Sequence, residues 1–235
     1  MSTIGLIGGM SWESTAVYYR LLNERVRTLR GGLHSADVLL HSLDFAPIAE
    51  MQASGDWAAA GHLLADSAIR LERAGVNCIL LCTNTMHKLA DRITAATRVP
   101  FLHLADVTAT AIRKSPSRRP LLLATRFTME QAFYRERLAA FGVEAMVPDA
   151  EQRDDVHRII YEEICRGRIE PASKARYLDI VAAAVRQGAD GVILGCTEIT
   201  LLVSQADFDI PVFDTTALHV EAALDFGLET ASQAA

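Results

Sequence analysis

Short apolar runs alternate with longer amphipathic stretches along nearly the whole chain. Residues 3–7 form an apolar run that ends in Gly8-Gly9. A helical segment follows over 11–30, with Val17, Leu21, Leu22, Val26 and Leu29 on one face. Further buried strands are expected at 37–43, 76–81, 100–104, 120–124, 191–195 and 210–213. Ala-rich amphipathic helices are expected at 57–73 and 177–187, among others. Nearly continuous apolar strands that alternate with helices predict an α/β protein whose parallel sheets are covered on both faces.

The pattern also repeats. Arg73-Ala74-Gly75-Val76-Asn77-Cys78-Ile79-Leu80-Leu81 lies over Arg186-Gln187-Gly188-Ala189-Asp190-Gly191-Val192-Ile193-Leu194 without a gap. Pro100 and Pro211 each open an apolar strand at nearly the same spacing, and so do Ile4 and Leu121 inside strands that feed helices. The expectation is two pseudo-symmetric, doubly wound parallel-sheet lobes. They divide near the Pro-, Ser- and Arg-rich segment 115–120, giving lobes over 1–116 and 117–210. Residues 211–235, the last strand and helix, are expected to pack back on the first lobe. Ligands of open α/β sheets bind beyond the carboxyl ends of the strands, so the active site is expected in a cleft between the lobes.

Composition narrows the function. The 235 residues are 50% hydrophobic and 22% charged, with a net charge of −6, which excludes a disordered or disulfide-stapled chain. An acidic chain without a basic run makes nucleic acid an unsuitable partner. No run reaches the roughly 18–20 apolar residues of a membrane helix, and the first residues lack the basic region and cleavage site of a signal peptide. With four cysteines and no CxxC pair, a cytoplasmic protein with free thiols is expected. Cys78 and Cys82 stand near His87 without a second ligand pair, so no metal is expected. Cys78 and Cys165 read as small buried hydrophobes, and His41 and His103 as core residues. Gly5-x-x-Gly8-Gly9 lacks the spacing of a dinucleotide fingerprint and reads as a tight turn with close backbone approach. Thr128-x-x-Gln131 reads as a capping box.

The repeat carries the candidate chemistry. Continued past the strands, it sets Cys82 against Gly195, Thr83 against Cys196, Asn84 against Thr197 and Thr85 against Glu198. Each lobe thus presents a nucleophilic or acid/base side chain just before a helix N-terminus. There the helix dipole and free N–H groups favour an anion and are expected to lower the Cys196 thiol pKa.

These residues resemble a known family. The segments 80–87 (LLCTNTMH) and 192–199 (VILGCTEI) are similar to the paired cysteine motifs of the aspartate/glutamate racemase superfamily. The opening 5–14 (GLIGGMSWES) and 125–129 (TRFTM) resemble that family's first and third strand–turn segments. The likeness covers almost the whole chain and is strongest to the bacterial aspartate racemase branch, with its L-aspartate/glutamate-specific amino-acid racemases.

The resemblance implies inversion of the α-carbon of acidic amino acids by a cofactor-independent two-base proton transfer, with Thr83 and Cys196 as the catalytic pair. It implies a substrate pocket lined by Met10, Gln52, Asn84, Thr85, Thr125, Thr197 and Glu198. Asn84, Thr85 and Thr197 would bind the α-carboxylate and Glu198 the α-ammonium. Homodimers are usual among similar proteins. The family pattern Cys-Asn-Thr departs here to Cys82-Thr83-Asn84-Thr85. Either Thr83 fills the catalytic position with Cys82 a buried neighbour, or a one-residue bulge brings Cys82 forward; the ungapped repeat favours Thr83. Two rivals are a decarboxylase or cis–trans isomerase of a small dicarboxylic acid, and a non-catalytic amino-acid-binding protein.

Overall fold

The structure is a computed structural model that describes residues 2–233; side chains are described as far as 228. It contains two three-stranded parallel sheets. Strand β1 (Ile4–Gly8) leads into α1 (Trp12–Arg30) and β2 (Val38–Ser42). Helices α2 (Phe45–Ser54) and α3 (Trp57–Arg73) then lead to β3 (Cys78–Leu81), and the sheet order is β2-β1-β3. A 3-10 turn over Thr85–Leu89 runs into α4 (Ala90–Ala96), and α5 (Leu104–Arg113) follows. The second sheet, β4-β5-β6, uses β4 (Leu121–Ala124). After β4 come α6 (Arg126–Glu130), α7 (Ala132–Ala140), α8 (Ala150–Arg158) and α9 (Pro171–Arg186). Then β5 (Val192–Gly195), β6 (Val212–Asp214) and α10 (Thr215–Gln233) close the chain.

Two compact units result, Met1–Leu104 with His219–Ala235, and Ala105–Leu218. This division differs from the expected boundaries near 116 and 211. Ala105, Ala109 and Ile112 of α5 are buried in the second unit's core, so α5 belongs there. The 115–120 segment is a fixed turn of that unit, not a linker. The Asp190 carboxylate accepts from Ser117 Oγ at 2.6 Å and from the Arg118 and Arg119 N–H groups at 2.8 and 2.9 Å. Strand β6, expected to return to the first lobe, instead pairs with β5; only the helix after it, through Val220, Ala223 and Leu224, joins the first unit's core.

The first sheet shows why the strands are almost wholly apolar. Ile7, Ile79 and Leu81 face α3 through Leu64, Ala68 and Leu71. Ile4, Leu6, Cys78 and Leu80 face α1 and α10 through Tyr18, Leu22, Val26 and Leu224. With helices on both faces, each successive residue must be apolar. Strand β2 is the exception at the edge, where Leu39 and Leu40 are exposed. On α1 the buried stripe is Ser14, Thr15, Tyr18, Leu22 and Val26, and Leu29, expected on it, faces solvent.

The turn after β1 needs its glycine: Gly9 has φ of 92°, and a Cβ there would lie 2.0 Å from the Leu43 carbonyl oxygen. The capping box read at Thr128 and Gln131 does not form. Thr128 lies inside α6, Gln131 joins α6 to α7, and capping boxes of this unit are found at Asp149 and Gln152 and at Ser204 and Asp207 instead.

Candidate functional site

Each unit gathers its candidate residues beyond the C-terminal ends of its strands. In the first unit the alternation of β3 continues one residue past the strand. Cys82 N–H donates to the Ile7 carbonyl at 2.9 Å, and Ser14 Oγ donates to the Cys82 carbonyl at 3.2 Å. The Cys82 side chain is fully buried among Ile4, Leu6, Tyr18 and Leu80, and that burial holds its thiol well above the ordinary range. Thr83 is the half-buried residue that follows. Both of its peptide groups are engaged: its N–H donates to the Leu81 carbonyl at 2.9 Å, and its carbonyl meets His87 Nδ1 at 2.7 Å.

Around Thr83 the unit places Asn84 and Thr85, both buried, at the start of the 3-10 turn. Met10 and Met86 share one apolar cluster, and Gln52, 6% exposed on α2, donates through Nε2 to the Met86 sulfur at 3.0 Å. Thioether sulfur is a weak acceptor, so the Gln52 amide is held loosely and stays available to a stronger one.

Behind this loop lies a group of imidazoles. The ring centroid of His87 is 4.8 Å from that of His103 and 5.9 Å from that of His219. His219 is fully buried between the Tyr18 hydroxyl, 2.9 Å from Nδ1, and the Leu102 carbonyl, 2.7 Å from Nε2. A carbonyl only accepts, so Nε2 carries the proton and Nδ1 accepts from Tyr18. Burial pushes the His219 pKa down from its ordinary 6.5 to about 4.

The second unit gathers a different set. Register pairs Ala124 with Gly195, which sets Thr125 beside Cys196 at the ends of β4 and β5. Gly195 has no room for a side chain, since a Cβ would come within 2.9 Å of Leu122 and 3.0 Å of Ala124. Cys196, 9% exposed, opens a 3-10 turn over Thr197–Leu201, and its thiol donates to Glu198 Oε2 at 2.9 Å. Thr197 accepts at its hydroxyl from Thr216 Oγ1 at 3.2 Å.

The expected acidic shift of Cys196 is reversed. Its pKa is raised well above the thiol range by burial first, then by the negative field of Glu198 and by Cys165. The expected helix N-terminus is a 3-10 turn of five residues, too short to offset desolvation and a carboxylate. Cys196 is thus a thiol held by a carboxylate.

Several residues beside the site were not legible in sequence. The segment Ile159–Glu163 is a π-helical turn, a form frequent at functional sites. It carries Tyr161, packed on the core that includes Cys196 and tilted against His157 with centroids 4.7 Å apart. Glu163 on the same turn accepts from Ser173 Oγ and from Arg158 Nη1. A helix pattern interrupted by one extra residue per turn leaves no periodic signal. Tyr18 matters through its contact with His219, remote in sequence, whereas His87 belongs to the first motif itself. Among the described residues no three His, Cys, Asp or Glu side chains converge as a metal ion would require, and no helix is long and apolar enough to cross a membrane.

The chain is similar in sequence and fold to known proteins. The family model described as Asp/Glu/Hydantoin racemase matches residues 7–223. A crystal structure of an Asp/Glu racemase candidate from Yersinia pestis is 52% identical, with 97% of this chain and 100% of that one covered and a TM-score of 0.91. An aspartate racemase homologue from Pyrococcus horikoshii OT3 is 33% identical over 96% and 98% of the two chains, with a TM-score of 0.85. The broad specificity amino-acid racemase RacX of Bacillus subtilis (strain 168) is 24% identical over 91% of this chain and 93% of its own. Duplicated sheets, a buried polar set at each strand end and a match over nearly the full length lead to one assignment: the chain belongs to the Asp/Glu/hydantoin racemase family and is an isomerase of the racemase type.

Proposed function

We propose that the protein racemises acidic amino acids, aspartate and glutamate first, with Thr83 and Cys196 exchanging protons with opposite faces of the α-carbon. The observation that carries this reading is positional: Ile79 and Val192 make the same bond, each N–H to a proline carbonyl, and Thr83 and Cys196 each come four residues later, shortly past a strand end and among buried polar side chains. An amino-acid Cα–H is a very weak acid, so positioning and stabilisation of the developing carbanion must supply most of the rate, each ~1.4 kcal/mol being worth tenfold.

The Cys196 thiol must lose its proton before it can act as a base. Glu198 accepts its hydrogen bond, so the proton has a place to go. An α-ammonium beside this pair offsets the carboxylate's field and favours the thiolate, which couples substrate binding to activation. Asn84, Thr85 and Thr197 are suited to the α-carboxylate. Gln52 is suited to the distal acid as a neutral donor, a role that a wider range of side chains would also tolerate.

A threonine hydroxyl is a far weaker acid than a thiol, so the two half-reactions are unequal. The equilibrium between free enantiomers fixes kcat/KM as equal in the two directions, and the inequality shows in kcat and KM separately. Incubating each enantiomer of aspartate and glutamate in deuterated water, with chiral chromatography and mass analysis, tests the reading. Inverted product that carries one solvent deuterium at the α-carbon is expected. Released CO2, or bound ligand with neither exchange nor inversion, overturns it.

A further inference from the structure

Thr83 is held at both ends of its residue, and the clamp on its carbonyl is a histidine whose ring has only one compatible state. The Leu104 N–H donates to His87 Nε2 at 3.2 Å, so Nε2 carries no proton. The proton is therefore on Nδ1, which donates to the Thr83 carbonyl at 2.7 Å. The ring is 3% exposed and packs against Phe101, with centroids 5.6 Å apart, and edge-on to His103. That burial shields the bond from bulk water. The repeat supplies an internal control. The residue at the corresponding place in the second unit is Thr200, and its hydroxyl bonds the carbonyl of Thr197, leaving that of Cys196 to the Ile199 N–H. The imidazole clamp is thus peculiar to the half that carries the weaker acid.

We infer that His87 is a positioning residue for the first-unit proton-transfer step: its Nδ1–H fixes the Thr83 carbonyl and thereby the direction of the Thr83 hydroxyl. This rests on the racemase reading above. A hydroxyl acts as a proton donor only along a narrow path, and a displacement near 1 Å at a reacting group costs about 100-fold. A thiol, larger and more acidic, tolerates more slack. The half with the less acidic group is the half with the more rigid support.

Two near-isosteric variants separate the bond from the burial. In H87N the side-chain amide places an N–H near the position of Nδ1; in H87Q it reaches the position of Nε2 and leaves the Thr83 carbonyl unserved. Inversion of aspartate and α-deuterium exchange without inversion are measured for both, with thermal melts as a check on folding. H87N is expected to stay within about tenfold of wild type in kcat. H87Q is expected to lose about 100-fold in inversion kcat with little change in KM, while Cys196-dependent exchange persists. Equal inversion in all three proteins overturns the inference, and so does parallel loss of exchange and inversion. If H87Q does not fold, histidine-selective nitrogen NMR on the wild type decides: an Nδ1 without a proton overturns the clamp. If the wild type itself inverts nothing, the racemase reading falls and this inference with it; if only the variants are indistinguishable, this inference falls alone.

Discussion

The two units repeat one backbone plan and fill it with different chemistry. Ile79 N–H donates to the Pro100 carbonyl at 2.9 Å, and Val192 N–H, its counterpart, donates to the Pro211 carbonyl at 2.8 Å. Each following strand end passes into a 3-10 turn. Past that shared frame the side chains part. Where the first unit has Cys82 filling an apolar core, the second has Gly195 pressed against Leu122 and Ala124. Where the first fixes a threonine through neutral imidazole, the second pairs a thiol with a carboxylate. Hydrogen bonds between main-chain groups preserve the strand ends whatever side chains they bear, so a few substitutions suffice to make one half acid-poor and the other thiol-based.

The largest effect is expected from removing the two groups proposed to exchange the proton. C196A and T83A should each lower inversion by about 10²–10⁴-fold, with C196A at the upper end because it removes the stronger acid/base. In initial-rate assays of both enantiomers, T83C should bring the kcat values of the two directions closer together. If T83A retains full activity, the two strand ends are not equivalent in function, and the comparison holds only for the backbone.

Next in size is a difference in response to acid. His219 is buried neutral in the first unit, with its pKa lowered from 6.5 to about 4. The unfolded chain binds that proton more readily than the folded one. The stabilisation is therefore complete above pH 6.5 and is lost as pH falls towards 4, to the extent of about 3 kcal/mol. Urea midpoints measured across this range should fall on acidification, and H219Q should flatten the curve. An unchanged slope in H219Q would show that the imidazole does not hold the Tyr18 and Leu102 contacts in neutral form.

Much of this plan was legible in the residues. The 57–73 pattern matches the limits of α3, the 11–30 pattern gives α1 with Ser11 as its cap and not its first residue, and six of the apolar runs are strands. Residues 100–104 contribute only a single bridge, Phe101 to Ile79, because Leu104 already begins a helix. The repeat aligned Thr83 with Cys196 because it follows the same main-chain bonds that the structure shows. What was not legible depends on surroundings. The Cys196 thiol sits where a helix start would acidify it, yet burial and Glu198 decide the sign. The pairing of β6 with β5 and the seat of α5 are settled by which core has room for their apolar faces. Apolar content alone does not say which core that is.

The thiol–carboxylate pair gives a third test, of sign more than size. Glu198 raises the Cys196 pKa both by its charge and by accepting the thiol hydrogen. In E198Q the thiol should ionise at a lower pH than in wild type, followed by ultraviolet thiolate absorbance against a C196A baseline. Burial remains, so the value should still lie above that of a free thiol. Inversion should nevertheless slow, because the proton's acceptor is gone. A thiol that becomes harder to ionise would mean that the carboxylate does not set the electrostatics of this half.

The smallest expected effect bears most directly on which first-unit residue corresponds to Cys196. Cys82 is wholly buried between α1, α10 and the sheet, and its carbonyl and N–H are both engaged. Replacing it by alanine removes one buried sulfur and leaves a small void, at a cost of about 1 kcal/mol. C82A should lower the urea midpoint slightly and leave kcat and KM for both enantiomers as they are. A thiol acting on substrate would behave the other way, with stability nearly kept and turnover lost by about 10²-fold or more. The two quantities move in opposite proportion under the two readings, so measuring both on one variant decides between a core cysteine and a catalytic one. Loss of turnover in C82A would require this residue to leave the position in which its N–H donates to the Ile7 carbonyl and its side chain is buried in the core.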